Sequence, residues 1–343
     1  MMRTIYTDEH RLHVSAGELV FGQYVPAFEK PERADLIRAR VDEVGLGPVA
    51  APDSYPVESI LRIHHPGMVA LLETGYDEWL AAGRTGDALP FSWRARGMRD
   101  DVVPSFIDGK LSYFSFDAGA PLTRTTWQAV RRSVDVALTG ADAIRAGERA
   151  IFSLCRPPGH HAATSQYGGY CFLNNAAIAA QHLIDNGAGR IAILDVDYHH
   201  GNGTQEIFWE RDDVLFASIH GDPNFEYPFL SGYADEIGAG AGEGFTLNLP
   251  LPAGSPWETW GEALETACRR VADYAPDVLL VSLGVDTFKL DPISQFRLDH
   301  DDYLRLGERI AGLGRPTLFV MEGGYAVAEI GINAVNVLQG FLG

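Results

Sequence analysis

The chain has 343 residues, 46% hydrophobic and 21% charged, which is ample material for a packed core and excludes a disordered or fibrous protein. Its 27 basic and 46 acidic side chains leave a formal charge of −19, a surface that repels phosphate backbones and argues against a nucleic-acid partner. No apolar run reaches the roughly 18 residues of a membrane span, residues 1–13 lack the apolar stretch of a signal peptide, and three cysteines without a CxxC pair (Cys155, Cys171, Cys268) fit a reducing cytoplasm.

In chain order, a short apolar strand at 4–6 precedes helical patterns at 31–45 and 67–82. Residues 84–123 then lack periodicity and carry Gly, Pro, Asp and Arg throughout, a length of irregular chain that is unusual in a compact domain unless it has a function. A helix over 125–147 leads into a strand at 150–155, and a helix over 175–186 ends at Gly187, a plausible C-cap. Strands at 190–196, 214–219 and 245–249 follow, then a helix over 257–274, a strand at 277–285, a helix over 301–313, a strand at 316–321 and a helix over 327–341. The runs Ile191-Ala192-Ile193-Leu194 and Val278-Leu279-Leu280-Val281 are continuously apolar, as in strands buried on both faces. The expectation is one doubly wound α/β domain over 1–343, with a parallel central sheet flanked by helices.

The polar motifs are not scattered, because each follows one of these strands. Arg156-Pro157-Pro158-Gly159-His160-His161 comes after the first, Asp195 to Gly203 after the second, and His220-Gly221-Asp222 after the third. Gly284-Val285-Asp286 and Glu322-Gly323-Gly324-Tyr325 follow the last two. Ligands of open α/β sheets bind outside the carboxyl ends of the strands, so all five clusters are expected to converge on one crevice. Asp197 and His199, at i and i+2 on extended chain, point to one side and can share an ion. Asp286 from another strand end would complete a three-ligand catalytic zinc site with its fourth position open. Alone, Asp-x-His is weak, since many strands end with such residues to cap a helix. Tandem His160 and His161 on a stiff turn are natural acid and base candidates near neutral pH. Gly323 and Gly324 let the backbone approach a ligand and present the Tyr325 hydroxyl to developing oxyanion charge. His64 and His65 read as turn residues, and His10, His13 and His300 carry no assigned role.

Together and in this order, RPPGHH at 156–161, GGYCFLNNAAIAA at 168–180, ILDVDYHHGNGTQ at 193–205, SLGVDTF at 282–288 and MEGGY at 321–325 resemble the histone deacetylase superfamily. The nearest likeness is to its bacterial branch, the acetylpolyamine amidohydrolases. The resemblance implies Asp197, His199 and Asp286 as zinc ligands, His160 and His161 as the catalytic pair, Asp195 as partner of the first histidine, and Tyr325 as the group polarising the carbonyl. It implies a substrate tunnel walled by Gly169, Tyr170 and Tyr227 with Ile293 near its mouth. It implies one structural potassium site at Asp195, Asp197, His199, Ser218 and Ile219, and a second near Phe208, Arg211 and Val214. It makes 84–123 an insertion at a homodimer interface and at the active-site entrance. The implied reaction is hydrolysis of N-acetylated polyamines or diamines, such as acetylputrescine and acetylcadaverine, and an acidic protein suits a cationic acetylated amine.

Two departures stand out: Asn202 sits where class I deacetylases carry Asp, which lets His161 remain neutral. Gly284 replaces a carboxylate that holds a second metal in the related arginases, which argues for a single ion. Gly119 stands where an acidic residue near the entrance is expected. The alternatives are a broader acyl-lysine or small-amide deacylase, a non-catalytic acyl-binding module and a dinuclear ureohydrolase.

Overall fold

The computed structural model describes residues 1–20 and 22–343. The strands are β1 (Arg3–Ile5), β2 (Glu18–Val20), β3 (Gln23–Val25), β4 (Val49–Ala50), β5 (Ala150–Ser153), β6 (Ile191–Asp195), β7 (Val214–Gly221), β8 (Thr246–Leu251), β9 (Val278–Leu283) and β10 (Thr317–Met321). Eight of them form one sheet in the order β4-β1-β5-β10-β9-β6-β7-β8, with parallel pairing throughout. β2 and β3 make a separate antiparallel hairpin.

The helices are α1 (Glu32–Glu43), α2 (Glu58–Leu61), α3 (Pro66–Ala81), α4 (Ile107–Phe114), α5 (Thr126–Arg145), α6 (Asn175–Asp185), α7 (Asn202–Phe208), α8 (Trp257–Tyr274), α9 (His300–Ala311) and α10 (Ile330–Leu342). Successive strand residues face opposite sides of a sheet, and both sides here are apolar. Ile191, Ile193, Phe216, Leu280 and Leu318 join one core with α3, α5 and α6. Their neighbours Ala192, Leu194, Leu215, Leu279 and Phe319 join another with α1, α8, α9 and α10. The expected doubly wound domain is therefore the observed one. Among the described residues no helix is long and apolar enough to cross a membrane.

Local sequence sets the helix ends. Asn174 caps α6 by accepting from Ala177 N, and Asp299 with Asp302 closes a capping box on α9. The sequence reading missed α4 inside 84–123, and also α2, α7 and the β2–β3 hairpin. Each is eight residues or fewer, too short for periodicity to be counted. The strands β5, β10, β9, β6 and β7 are consecutive in the sheet and parallel, so the five polar clusters emerge on one edge.

Candidate active site

Two of those strand ends, after β6 and after β9, place Asp197, His199 and Asp286 together. All three are buried, and their ligand atoms lie within 4.8 Å of one another. His199 Nδ1 is 3.1 Å from Asp286 Oδ2 and 3.4 Å from Asp197 Oδ1. Backbone amides aim the carboxylates: Asp197 accepts from His199 N (2.9 Å) and Gly323 N (2.8 Å), and Asp286 accepts from Tyr198 N (2.8 Å). Burial and the Asp197 charge both push the Asp286 pKa up, so the arrangement is costly without a cation. The donor set, two carboxylates and one imidazole opening on a cavity, fits a catalytic divalent metal. The cradle is close: a Cβ at Gly284 would lie 2.0 Å from Asp197 Oδ2, and one at Gly323 2.6 Å from an oxygen of each carboxylate. The backbone therefore has no room for a further ligand side chain at 284.

The tandem histidines sit beside this group. His160 Nδ1 is 3.0 Å from Asp195 Oδ2, and the rings of His160 and His161 are 4.0 Å apart. Burial alone drives His160 down, but the carboxylates of Asp197 and Asp195 outweigh it and push its pKa up to about 10. Burial pushes Asp195 up, with charged His160 opposing. His161 Nδ1 lies 2.7 Å from Asn202 Oδ1. Burial, then the neighbouring rings of His160 and His199, hold His161 well below the usual imidazole range. Glu322, fully buried, supports the turn by accepting from Gly159 N (2.7 Å) and His160 N (3.2 Å).

A cavity of about 690 Å³ opens over His161, His199 and Tyr325. Gly169, Tyr170, Tyr227 and Ile293 all line it, as expected from the sequence. Gly169 and Tyr170 take left-handed backbone, φ 55° and 67°, which sets the Tyr170 ring 5.5 Å from that of Tyr325. A side chain at 169 would strike the His161 ring at 2.5 Å. Arg33 stacks over the other part of Tyr325, 4.7 Å from its ring centre.

One expectation fails. His220 and Asp222 do not line the cavity: His220 is buried between Ser218 Oγ and the Gly232 carbonyl, both at 2.8 Å, and Asp222 caps its own turn through Asn224 N. β7 contributes instead through the following loop, with Phe225, Glu226 and Tyr227. The other residues assigned by resemblance lie at the ends of β6 and β7. Asp195 and Ser218 pair across the two strands, with Ile219 next along β7 and Val214 at its start. Phe208 accepts from Arg211 N at 3.0 Å in the turn after α7.

The sequence reading also missed several acidic groups. Glu18, Asp117 and Glu226 all line the cavity. Asp117 accepts from Gly119 N (2.8 Å), Gly169 N (3.0 Å) and the Tyr227 hydroxyl (2.6 Å), so it ties the two tunnel walls together. Position 119 itself is the glycine, and acidity near the mouth comes from these three instead. His64 lies in the turn between α2 and α3, as read from the sequence, but its ring is buried between the Ala163 carbonyl and Asn174 N, each at 2.9 Å. Only proximity in space reveals such partners.

Residues 27–341 match the family model described as histone deacetylase domain. The chain is 62% identical to acetylpolyamine amidohydrolase 2 of Pseudomonas aeruginosa, covering 100% of this chain and 99% of that protein. It is 50% identical to the acetylpolyamine amidohydrolase of Mycoplana ramosa, with both chains covered completely. A crystal structure of acetylpolyamine aminohydrolase from Burkholderia pseudomallei superposes with a TM-score of 0.95 at 38% identity, covering 99% of this chain and 98% of that one. The chain belongs to the histone deacetylase superfamily. Within it the chain falls in the acetylpolyamine amidohydrolase branch, and it is an amidohydrolase acting on amide bonds.

Proposed function

We propose that the protein is a zinc-dependent deacetylase that hydrolyses N-acetylated diamines and polyamines, such as acetylputrescine and acetylcadaverine, to the amine and acetate. The observation that carries this reading is one cavity lined by His161, His199 and Tyr325, with Asp286 and Asp197 packed against His199 and with His160 against His161. Asp197, His199 and Asp286 would hold the zinc ion, which when bound would supply Lewis acidity toward a carbonyl and lower the pKa of water. His161, neutral and with Nδ1 turned to Asn202, offers Nε2 to take the water proton and returns one to the leaving amine. His160, charged and paired with Asp195, stabilises the negative charge that develops as the carbonyl is attacked. Tyr325 donates to the oxyanion: its hydroxyl makes no hydrogen bond among the described residues and faces the cavity.

The tunnel walls Tyr170 and Tyr227 exclude folded proteins, and the carboxylates of Glu18, Asp117 and Glu226 draw a cationic tail toward the mouth. The 84–123 segment is the homodimer surface in this reading: Phe91, Met98 and Val102 line one surface groove and are 78%, 60% and 50% exposed, unusual for large apolar side chains close together. Potassium ions at Asp195, Asp197, His199, Ser218 and Ile219, and near Phe208, Arg211 and Val214, would brace the strand ends.

The test is acetate release across a panel of N-acetylputrescine, N-acetylcadaverine and acetyl-lysine peptides, with metal content measured. The diamines are expected to exceed the peptides in kcat/KM by about tenfold or more. A preference for the peptides would replace this reading with a broader deacylase.

A further inference from the structure

The turn that carries Tyr325 has little stiffness of its own, because Gly323 and Gly324 precede the tyrosine and Gly324 sits at φ 130°. Its order comes from buried charge on two sides. The carbonyls of Glu322 and Gly324 accept from the Arg33 guanidinium, each at 2.6 Å. The amides of Tyr325 and Ala326 both donate to Asp291 Oδ2, at 2.6 and 3.1 Å. Asp291 Oδ1 accepts from Ile293 N at 3.1 Å. Asp291 is buried, and among the described residues no Lys or Arg pairs with it, so backbone amides are its partners. Charge-assisted bonds of this kind are roughly twice as strong as neutral ones. The Tyr325 ring is held by stacking rather than through its hydroxyl, so the position of its backbone decides where that hydroxyl lies.

We propose that Asp291 is a positioning residue for the hydrolysis. One carboxylate oxygen locks the Tyr325 backbone and the other locks the Ile293 mouth, so the oxyanion donor and the tunnel entrance share one frame. The proposal rests on the reading of Tyr325 as that donor.

It is tested by measuring kcat and KM for N-acetylputrescine in Asp291→Asn, Tyr325→Phe and the double variant, with zinc content and melting temperature followed alongside. Asp291→Asn is expected to lower kcat by about 10²-fold, the loss typical of a displaced catalytic group, and to raise KM. In the Tyr325→Phe background its effect on kcat should shrink below about threefold while the KM rise persists. An equal kcat loss in both backgrounds means a general structural role and overturns the proposal, as does near-normal kcat in Asp291→Asn while Tyr325→Phe is inactive. Full turnover in Tyr325→Phe removes the donor reading and the proposal with it. If Asp291→Asn does not fold, Asp291→Glu, which keeps the charge, goes through the same cycle under the same criteria.

Discussion

His160 and His161 are neighbours in sequence with opposite electrostatic surroundings: carboxylates face the first, and a neutral amide and two imidazoles face the second. This separation assigns a charged role to one and a basic role to the other. Replacing Asn202 by Asp puts a carboxylate where the amide oxygen now lies 2.7 Å from His161. That favours the imidazolium, so the acid limb of the kcat/KM profile should move up by about one pH unit or more. An unmoved limb would mean that His161 is not the base. Tyr325→Phe should fold and hold zinc but lose about 10²–10³ in kcat, the usual effect of removing one oxyanion donor. At this scale the sequence was informative wherever chemistry and motif coincide, as at Asp197, His199, Asp286 and Tyr325. Asp117, Asp291 and Arg33 stayed hidden because their partners lie far along the chain: Arg33 meets Gly324 291 residues away, and nothing local in either stretch marks that pairing.

The elements work as a frame that brings the strand ends together, and the closest contacts in that frame are between α9 and α10. A Cβ at Gly307 would lie 1.9 Å from the Val337 carbonyl oxygen, a backbone atom that cannot rotate aside. Gly307→Ala should therefore destabilise the fold by about 1–3 kcal/mol, as overpacking does, measured by urea unfolding. An unchanged midpoint would show that the two helices can separate freely. The long helices and central strands were legible because apolar spacing repeats over many residues, as in α5 and α9. α7 was not, since its seven residues begin just after the loop that carries Asp197 and His199 and hold too few apolar positions for a period. The third strand end misled for a related reason: β7 runs two residues past 219, so His220 becomes part of the buried strand and the loop beyond it reaches the cavity.

For the whole molecule, the two cores enclose ionisable groups whose charge states are fixed by folding. His13 and His64 are held down to about 4 by burial and stay neutral in the fold. The unfolded chain binds a proton at each below its ordinary 6.5, so stability falls as pH drops from 6.5 to about 4, by roughly 3 kcal/mol per histidine. Burial tends to raise Glu29, but the guanidinium groups of Arg156 and Arg33 outweigh it and hold its pKa at about 2. Its contribution is present above the unfolded value near 4.5 and is lost as pH falls through about 2. Denaturant unfolding at a series of pH values should thus show stability declining from near neutrality, and Glu29→Gln should cost about 3–5 kcal/mol at pH 7 by leaving buried arginines unpaired. Constant stability down to pH 4 would mean these histidines are hydrated in the fold.

The central claim is that separate strand ends gather one metal ion per chain and that amide hydrolysis depends on it. The direct measurement is to strip the protein with a chelator and titrate zinc back while following acetate release from N-acetylputrescine. Activity should vanish on stripping, rise linearly and break at one zinc per chain, with Asp286→Ala showing no such break. Full activity in the stripped protein, or a break at two ions per chain, would contradict the account.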